Sequence, residues 1–179
     1  MGRKVYTPVF RASFVHVFTP RLNQLSGKEE YSVKMIFDKD ANFTDMKAIV
    51  QEAIQEKWGT NPPKNIKLPF KDGNQGDTDK YPEDKDKIIC TAKTMIAPPG
   101  VVNRQCQPIM DPKEIYSGCY MIATVTAYAY DNIAKGVAFG LQNLMKWEDG
   151  EPLVSRASAE DDFAKFSGAA ENAENILGI

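Results

Sequence analysis

The sequence holds one histidine, His16, among 179 residues, and that scarcity removes most catalytic designs at the start. A Ser-His-Asp or Cys-His nucleophile set needs an imidazole oriented by a third group, and a zinc site needs several histidines or cysteines. Cysteine is scarce as well: Cys90, Cys106 and Cys119 form no CxxC and have no paired histidine, so neither a disulfide framework nor a zinc site follows from their spacing. GxxxxGK[ST] and GxGxxG are both missing, and with them the backbone cradle that holds a nucleotide's phosphates. No apolar run approaches the ~20 residues that span a bilayer. The stretch Met1-Gly2-Arg3-Lys4-Val5-Tyr6 turns polar and β-like at once, with no secretory apolar segment, and Tyr6 stands where myristoylation needs Ser or Thr. The expectation is a cytoplasmic protein with reduced thiols and no membrane partner. No repeat of 20 to 50 residues is found, which excludes solenoids and propellers.

An excess of either charge is also lacking, since 22 Lys+Arg meet 24 Asp+Glu for a net charge of −2. Taken whole, that balance argues against a nucleic-acid partner, whose usual footprint is a basic surface. The total hides a partition. From Met1 to Trp147 there are 20 Lys+Arg and 16 Asp+Glu, or +4; from Glu148 to Ile179 there are 2 and 8, or −6. A mildly basic body therefore carries an acidic tail, and tails of this composition serve as mobile interaction arms, electrostatic competitors or simple solubilisers.

What the sequence has is alternation. Between Lys4 and Phe18 the residues alternate, with Phe10, Ala12, Phe14, His16 and Phe18 pointing one way and Arg11, Ser13, Val15 and Val17 the other, which predicts a long strand ended by Pro20. Tyr31 to Phe37 repeats the period, and the Ser26-Gly27 turn region makes the two a hairpin. Met46, Ile49, Val50, Ala53, Ile54 and Trp58 fall on the stripe of an amphipathic helix, with Thr44 as N-cap and Gly59 as its stop. From Thr60 to Asp86, prolines, glycines, acids and lysines alternate in a long irregular excursion. Lys87 to Thr94 is a short strand, and Cys119–Tyr130 with Gly136–Trp147 is a long hairpin turning at Asp131-Asn132. The expected fold is mainly β: a five-stranded OB-fold barrel with an inserted helix and long loop insertions over residues 1–153, and a flexible acidic C-terminal tail over 154–179. A β-sandwich is the alternative.

Tyr120, Tyr128 and Tyr130 share one face of their strand, opposite Met, Ala and Val. Single-stranded nucleic acid calls for flat platforms on which bases stack at ~1 to 3 kcal/mol each, and for cations that follow the phosphates. Arg11, Lys34, Lys93 and Arg104 lie on or beside strands and supply the second need; Phe70, Lys71 and Tyr81 belong to the loop from Leu68 to Asp86, placed to fold over a strand. Packing alone also puts tyrosines in strands. The carboxylates Asp72, Asp77, Asp79, Glu83, Asp84 and Asp86 fail the spacing of a calcium loop, and a solvated loop is the simpler reading, with no metal and no cofactor. An interaction module that binds only proteins through its tail is the rival function, and a metal-dependent nuclease a remote one.

Three groups of residues carry a resemblance. Ile115-Tyr116-Ser117-Gly118-Cys119-Tyr120, Ala127-Tyr128-Ala129-Tyr130-Asp131-Asn132 and Lys135-Gly136-Val137-Ala138-Phe139-Gly140-Leu141-Gln142-Asn143 resemble the signature block of a family of tailed-phage and prophage single-stranded-DNA-binding proteins with an OB-fold. Ser13-Phe14-Val15-His16-Val17-Phe18, Trp58-Gly59, Leu68-Pro69-Phe70-Lys71-Asp72-Gly73, Asp149-Gly150-Glu151-Pro152-Leu153 and Ala159-Glu160-Asp161-Asp162-Phe163 extend it along nearly the whole chain. Ile133-Ala134 departs from the family's commoner glycine-containing turn. The resemblance implies a non-catalytic accessory of phage replication and recombination that coats single strands. It also implies a tail, here Glu160, Asp161, Asp162 and Phe163, that competes with DNA for the groove and docks replication partners. A homodimer is compatible with it.

Overall fold

The computed structural model describes residues 2–153, 159 and 163–166. The strands are β1 (Val5–Tyr6), β2 (Phe10–Asn23), β3 (Lys28–Asp38), β4 (Lys71–Asp72), β5 (Lys87–Thr94), β6 (Gly100–Val102), β7 (Tyr120–Asp131) and β8 (Lys135–Glu148), and the helix α1 is Thr44–Trp58. Five of the strands are long, and they close a ring. β2 pairs antiparallel with β3 and β3 with β5, β5 runs parallel to β8, β8 pairs antiparallel with β7, and β7 returns to β2. Short β1, β4 and β6 extend the sheet from β7, β5 and β8. This closed five-strand ring, with a helix between β3 and β5, is the OB-fold expected from the sequence.

β2 differs from its expected form in two ways. It passes through Pro20 instead of ending there, because the β2–β3 register slips between His16, opposite Ser32, and Arg21, opposite Glu30; proline is tolerated in a strand where such an irregularity removes the need for its N–H. A second slip, between Ser13 and His16, inverts the alternation. Phe10 and Ala12 face the core as expected, and beyond the slip it is Val17 that is buried while Phe14 is exposed. The strand also begins later than its pattern, at Phe10. Just before it, the Thr7 hydroxyl takes over a ladder position by accepting the Ala123 N–H at 3.0 Å.

α1 buries Met46, Ile49, Val50 and Ala53 and packs against β1, β7 and β8. Its start differs from the expected cap: Thr44 is already helical, and the Asn42 Oδ1 atom accepts both its N–H, at 3.1 Å, and its hydroxyl, at 2.6 Å. Gly59 stops the helix as expected, at φ +64°, with its N–H bonded to the Gln55 carbonyl. Phe10, Phe37, Phe43, Phe70 and Phe139 meet edge to face in sequence, with centroids 5.3 to 5.6 Å apart. This chain of rings runs from β2 through the helix entrance to β8 and anchors the long loop at Phe70.

Candidate nucleic-acid interface

On β8 the core takes Val137, Phe139 and Leu141, so the outward positions are Gly136, Ala138 and Gly140. Their smallness lowers the surface along the strand and lets the neighbouring tyrosines lie over it. A side chain at position 136 would strike the ring of Tyr130, and one at 140 would meet the Thr126 hydroxyl at 2.6 Å. Tyr128 stands opposite Ala138 and Tyr130 opposite Gly136. The register extends this row across the ring: Lys34 on β3 is opposite Thr91 on β5, and Ser13 on β2 is opposite Lys34. Thr91 and Ala138 sit one position before the paired Ala92 and Phe139.

Above that row lies a cleft of about 990 Å³, walled on its far side by the loop from Lys67 to Asp84. Lys34, Lys67, Lys71 and Lys93 line it, together with Tyr81 and Tyr130. A smaller hollow of about 310 Å³ adjoins it at the shared Lys93 and is walled by Met95, Ile96, Tyr128 and Leu141. Of the cleft's cations, Lys93 is 3.8 Å from Glu30 and Lys34 is 2.7 Å from Asp84; Lys67 and Lys71 are exposed. The loop's carboxylates are largely engaged within it: Asp72 accepts the Asn74 N–H, Asp77 the Lys80 N–H, and Asp86 the Asn74 side-chain amide. Burial first, then the charge of Glu30 and the Tyr130 phenol, raise the Tyr128 pKa. A tyrosine phenol is neutral near pH 7 at its ordinary pKa, and this shift only extends that range to higher pH.

The loop is fastened to the sheet by one ion pair and folded on itself by one close backbone crossing. The Lys34–Asp84 pair is nearly buried, with side chains 14% and 11% exposed, and a Cβ at position 73 would collide with the backbone of Asp84, so only glycine permits the close crossing. Beside that fastening the Tyr81 ring meets Phe14, centroids 5.7 Å apart at 74°. The Lys34 ammonium lies 4.8 Å from the Tyr81 centroid and 5.6 Å from that of Phe14. Phe14 takes φ +45°, a conformation that costs a bulky residue about 1 to 3 kcal/mol.

The model of the family described as "Enterobacter phage Enc34, ssDNA-binding protein" matches residues 3–176. This chain belongs to the Enc34 single-stranded-DNA-binding protein family. Among its relatives is protein p50 of Acyrthosiphon pisum secondary endosymbiont phage 1, 28% identical in an alignment of 176 positions that covers 90% of this chain and 92% of that protein. The single-stranded-DNA-binding protein of bacteriophage Enc34, solved in complex with single-stranded DNA, superposes with a TM-score of 0.69 at 24% identity over 83% of this chain and 88% of that one. The bacteriophage T7 single-stranded-DNA-binding protein gp2.5 shares the fold at a TM-score of 0.62 and 17% identity, covering 92% and 94% of the two chains.

Within this Enc34-family chain, the residues expected at the site separate into groups. Lys34, Lys71, Tyr81, Lys93 and Tyr130 line the main cleft, and Tyr128 the adjoining hollow. Phe70 is spent on the core, between Phe43 and Phe139. Arg104 stacks on Trp147 at 3.9 Å, outside both hollows. Arg11 gives its guanidinium to the carbonyls of Gly118, at 3.3 Å, and Glu151, at 2.5 Å.

Those bonds belong to a clasp where the family-like segments Ile115–Tyr120 and Asp149–Leu153 meet. The Tyr116 hydroxyl is shared with Asp149, at 2.9 Å, and Gly150, Lys146 pairs with Asp149 at 2.7 Å, and the Leu153 N–H reaches the Ser117 carbonyl. Tyr120 packs on Gly150 in the same clasp. Lys146 and Tyr116 hold the Asp149 pKa below its ordinary value. The resemblance of these segments thus has a structural cause. Glu160, Asp161 and Asp162 lie outside the described residues, while Phe163 is exposed and its ring is 6.3 Å from that of Phe166.

Sequence periodicity missed Phe14 and Lys67. It assigned Phe14 to the core face, and only the bulge turns it outward; Lys67 had no periodic neighbour to mark it. No candidate nucleophile emerges from the buried thiols, since burial pushes Cys90 up to about 12 and also raises Cys119. Among the described residues no cluster of His, Cys, Asp or Glu is placed to hold a metal, and no helix is long and apolar enough to cross a membrane.

Proposed function

We propose that this chain coats single-stranded DNA with little sequence preference, as a non-catalytic accessory of phage DNA replication and recombination in the cytoplasm of the bacterial host. The observation that carries the reading is the joining, over one low strand face, of Tyr81, Tyr128 and Tyr130 with Lys34, Lys71 and Lys93. Neutral rings suit bases of any identity, ammonium groups suit phosphates, and nothing in the row offers the paired donors and acceptors that read base edges. Membership in the family and the Enc34 protein's complex with single-stranded DNA support it. Lys67 joins the phosphate-binding set, whereas Arg11, Tyr120, Phe70 and Arg104 act by holding the scaffold. Fluorescence anisotropy with oligo-dT over a series of salt concentrations tests the proposal: affinity falls steeply as salt rises, and no binding at low salt, by the full chain and by a chain ending at Leu153, overturns it.

The binding body spans residues 1–153 and the acidic tail 154–179. The clasp, which ties Leu153 to Ser117, supports that division. Glu160, Asp161 and Asp162 imitate the charge of DNA and compete for the groove, while Phe163 adds an apolar handle for replication proteins. Truncation after Leu153 then tightens binding and changes its salt slope; an unchanged affinity removes the competition. Sedimentation with and without oligonucleotide shows whether the binding unit is one chain or a homodimer.

A further inference from the structure

We infer that Phe14 is a base-stacking platform, which with Tyr81 and the Lys34 ammonium forms a subsite for one unstacked nucleobase at the β2 edge of the cleft. The inference rests on the single-strand-binding reading above and adds to it a residue that neither the periodicity nor the cleft lining singles out.

The argument starts from a residue in the wrong conformation. The bend in β2 puts position 14 at φ +45°, which glycine adopts freely and a Cβ-bearing residue does not. Among the described residues the other non-glycines at positive φ are Asp86 and Cys106, smaller side chains than a benzyl group. Burial would offset the strain, but Phe14 is 43% exposed, while Phe10, Phe37 and Phe139 are at most 1% exposed. The chain thus keeps a strained aromatic ring at its surface where glycine would bend the strand at no cost.

The ring's surroundings say what it does there. Its T-shaped contact with Tyr81 pairs the edge of one ring with the face of the other, and so leaves aromatic surface open to solvent. Lys34 sits against both rings at 5.6 and 4.8 Å while it pairs with Asp84, so one anchored cation fixes Phe14 and Tyr81 relative to each other. Ser13, the residue before Phe14, is buried opposite Lys34 at the end of the cross-strand row that leads toward Tyr128, so the exposed ring of Phe14 is what stands at that end of the proposed path.

Two variants and two measurements test this. Phe14→Gly should melt at or above the wild-type temperature, because the strain is gone, and should bind oligo-dT roughly tenfold more weakly, because one stacked base is lost. Phe14→Trp should bind within about twofold of wild type, and its fluorescence should be quenched by oligo-dT beyond the quenching of native Trp58 and Trp147. If the wild type binds and Phe14→Gly binds equally well, or Phe14→Trp gains no quenching, Phe14 is no platform and the inference falls while the function stands. A Phe14→Gly chain that melts well below wild type removes the strain argument and overturns the inference too. A wild type that binds oligo-dT at no salt concentration overturns the function itself.

Discussion

His16 lies on β2 with Nε2 buried and without a hydrogen-bond partner, and burial, then the charge of Arg21, lowers its pKa from the ordinary 6.5. The unfolded chain therefore takes up the proton first. Its contribution to stability is fully present above pH 6.5 and is lost as the pH falls through that value toward the lower folded one. Melting temperatures of wild type and His16→Gln measured from pH 8 to 5 should diverge in that window, and parallel profiles would contradict it. Asp84 is a second case of a residue whose worth lies in its partner. Asp84→Ala leaves the Lys34 ammonium nearly buried and uncompensated, and should lower unfolding free energy by about 3 to 5 kcal/mol in denaturant titrations. Lys34→Met with Asp84→Leu should cost much less. At this scale the tyrosines were legible because alternation on β7 is unbroken, and Tyr128 and Tyr130 face outward as the period requires. Arg11 was not, because a cation on an outward strand position looks the same in sequence whether it meets a phosphate or two carbonyls from a segment far along the chain.

Elements were legible where their period was long and failed where tertiary pairing altered it. The amphipathic stripe of α1 and the β7–β8 hairpin follow directly from spacing. The two bulges of β2 do not, since each answers to the demands of strands on either side of it and not to its own residues. Strands β1, β4 and β6 are two or three residues long, too short to show a period. Two substitutions examine elements in place. Gly73→Ala forces apart the two turns of the loop that cross at Gly73 and Asp84 and should lower both the melting temperature and the affinity for oligo-dT; an unchanged protein would mean the loop tolerates displacement. Ala138→Phe fills the low face of β8 beside Tyr128 while every charge and tyrosine of the chain is kept. It should weaken binding severalfold in anisotropy while the circular dichroism stays native, and wild-type affinity would show that DNA does not cross β8.

For the whole molecule, the net charge of −2 describes neither of its parts. The path proposed for the strand crosses β2, β3, β5, β8 and β7, four inter-strand steps of ~4.8 Å, or about 19 Å. Nucleotides stacked on one another advance ~3.4 Å each and a strand whose bases turn onto protein rings up to about twice that, so affinity for oligo-dT should climb with length to about three to six nucleotides and then level off for one chain; a climb that continues well past six would place the strand on another course. That path also passes over the join at which Ala92 faces Phe139 and Lys93 faces Gly140, the one parallel pairing among the five long strands. The join is short, two paired positions against eight between β3 and β5 and twelve between β7 and β8, so few backbone hydrogen bonds hold it and it opens more readily than the pairings on either side. A strand of DNA laid from Lys34 to Tyr128 is a suture across that seam. It would slow the opening of the barrel and raise the melting temperature in proportion to the logarithm of its concentration, so that the protein shielding the strand is itself kept shut by what it shields.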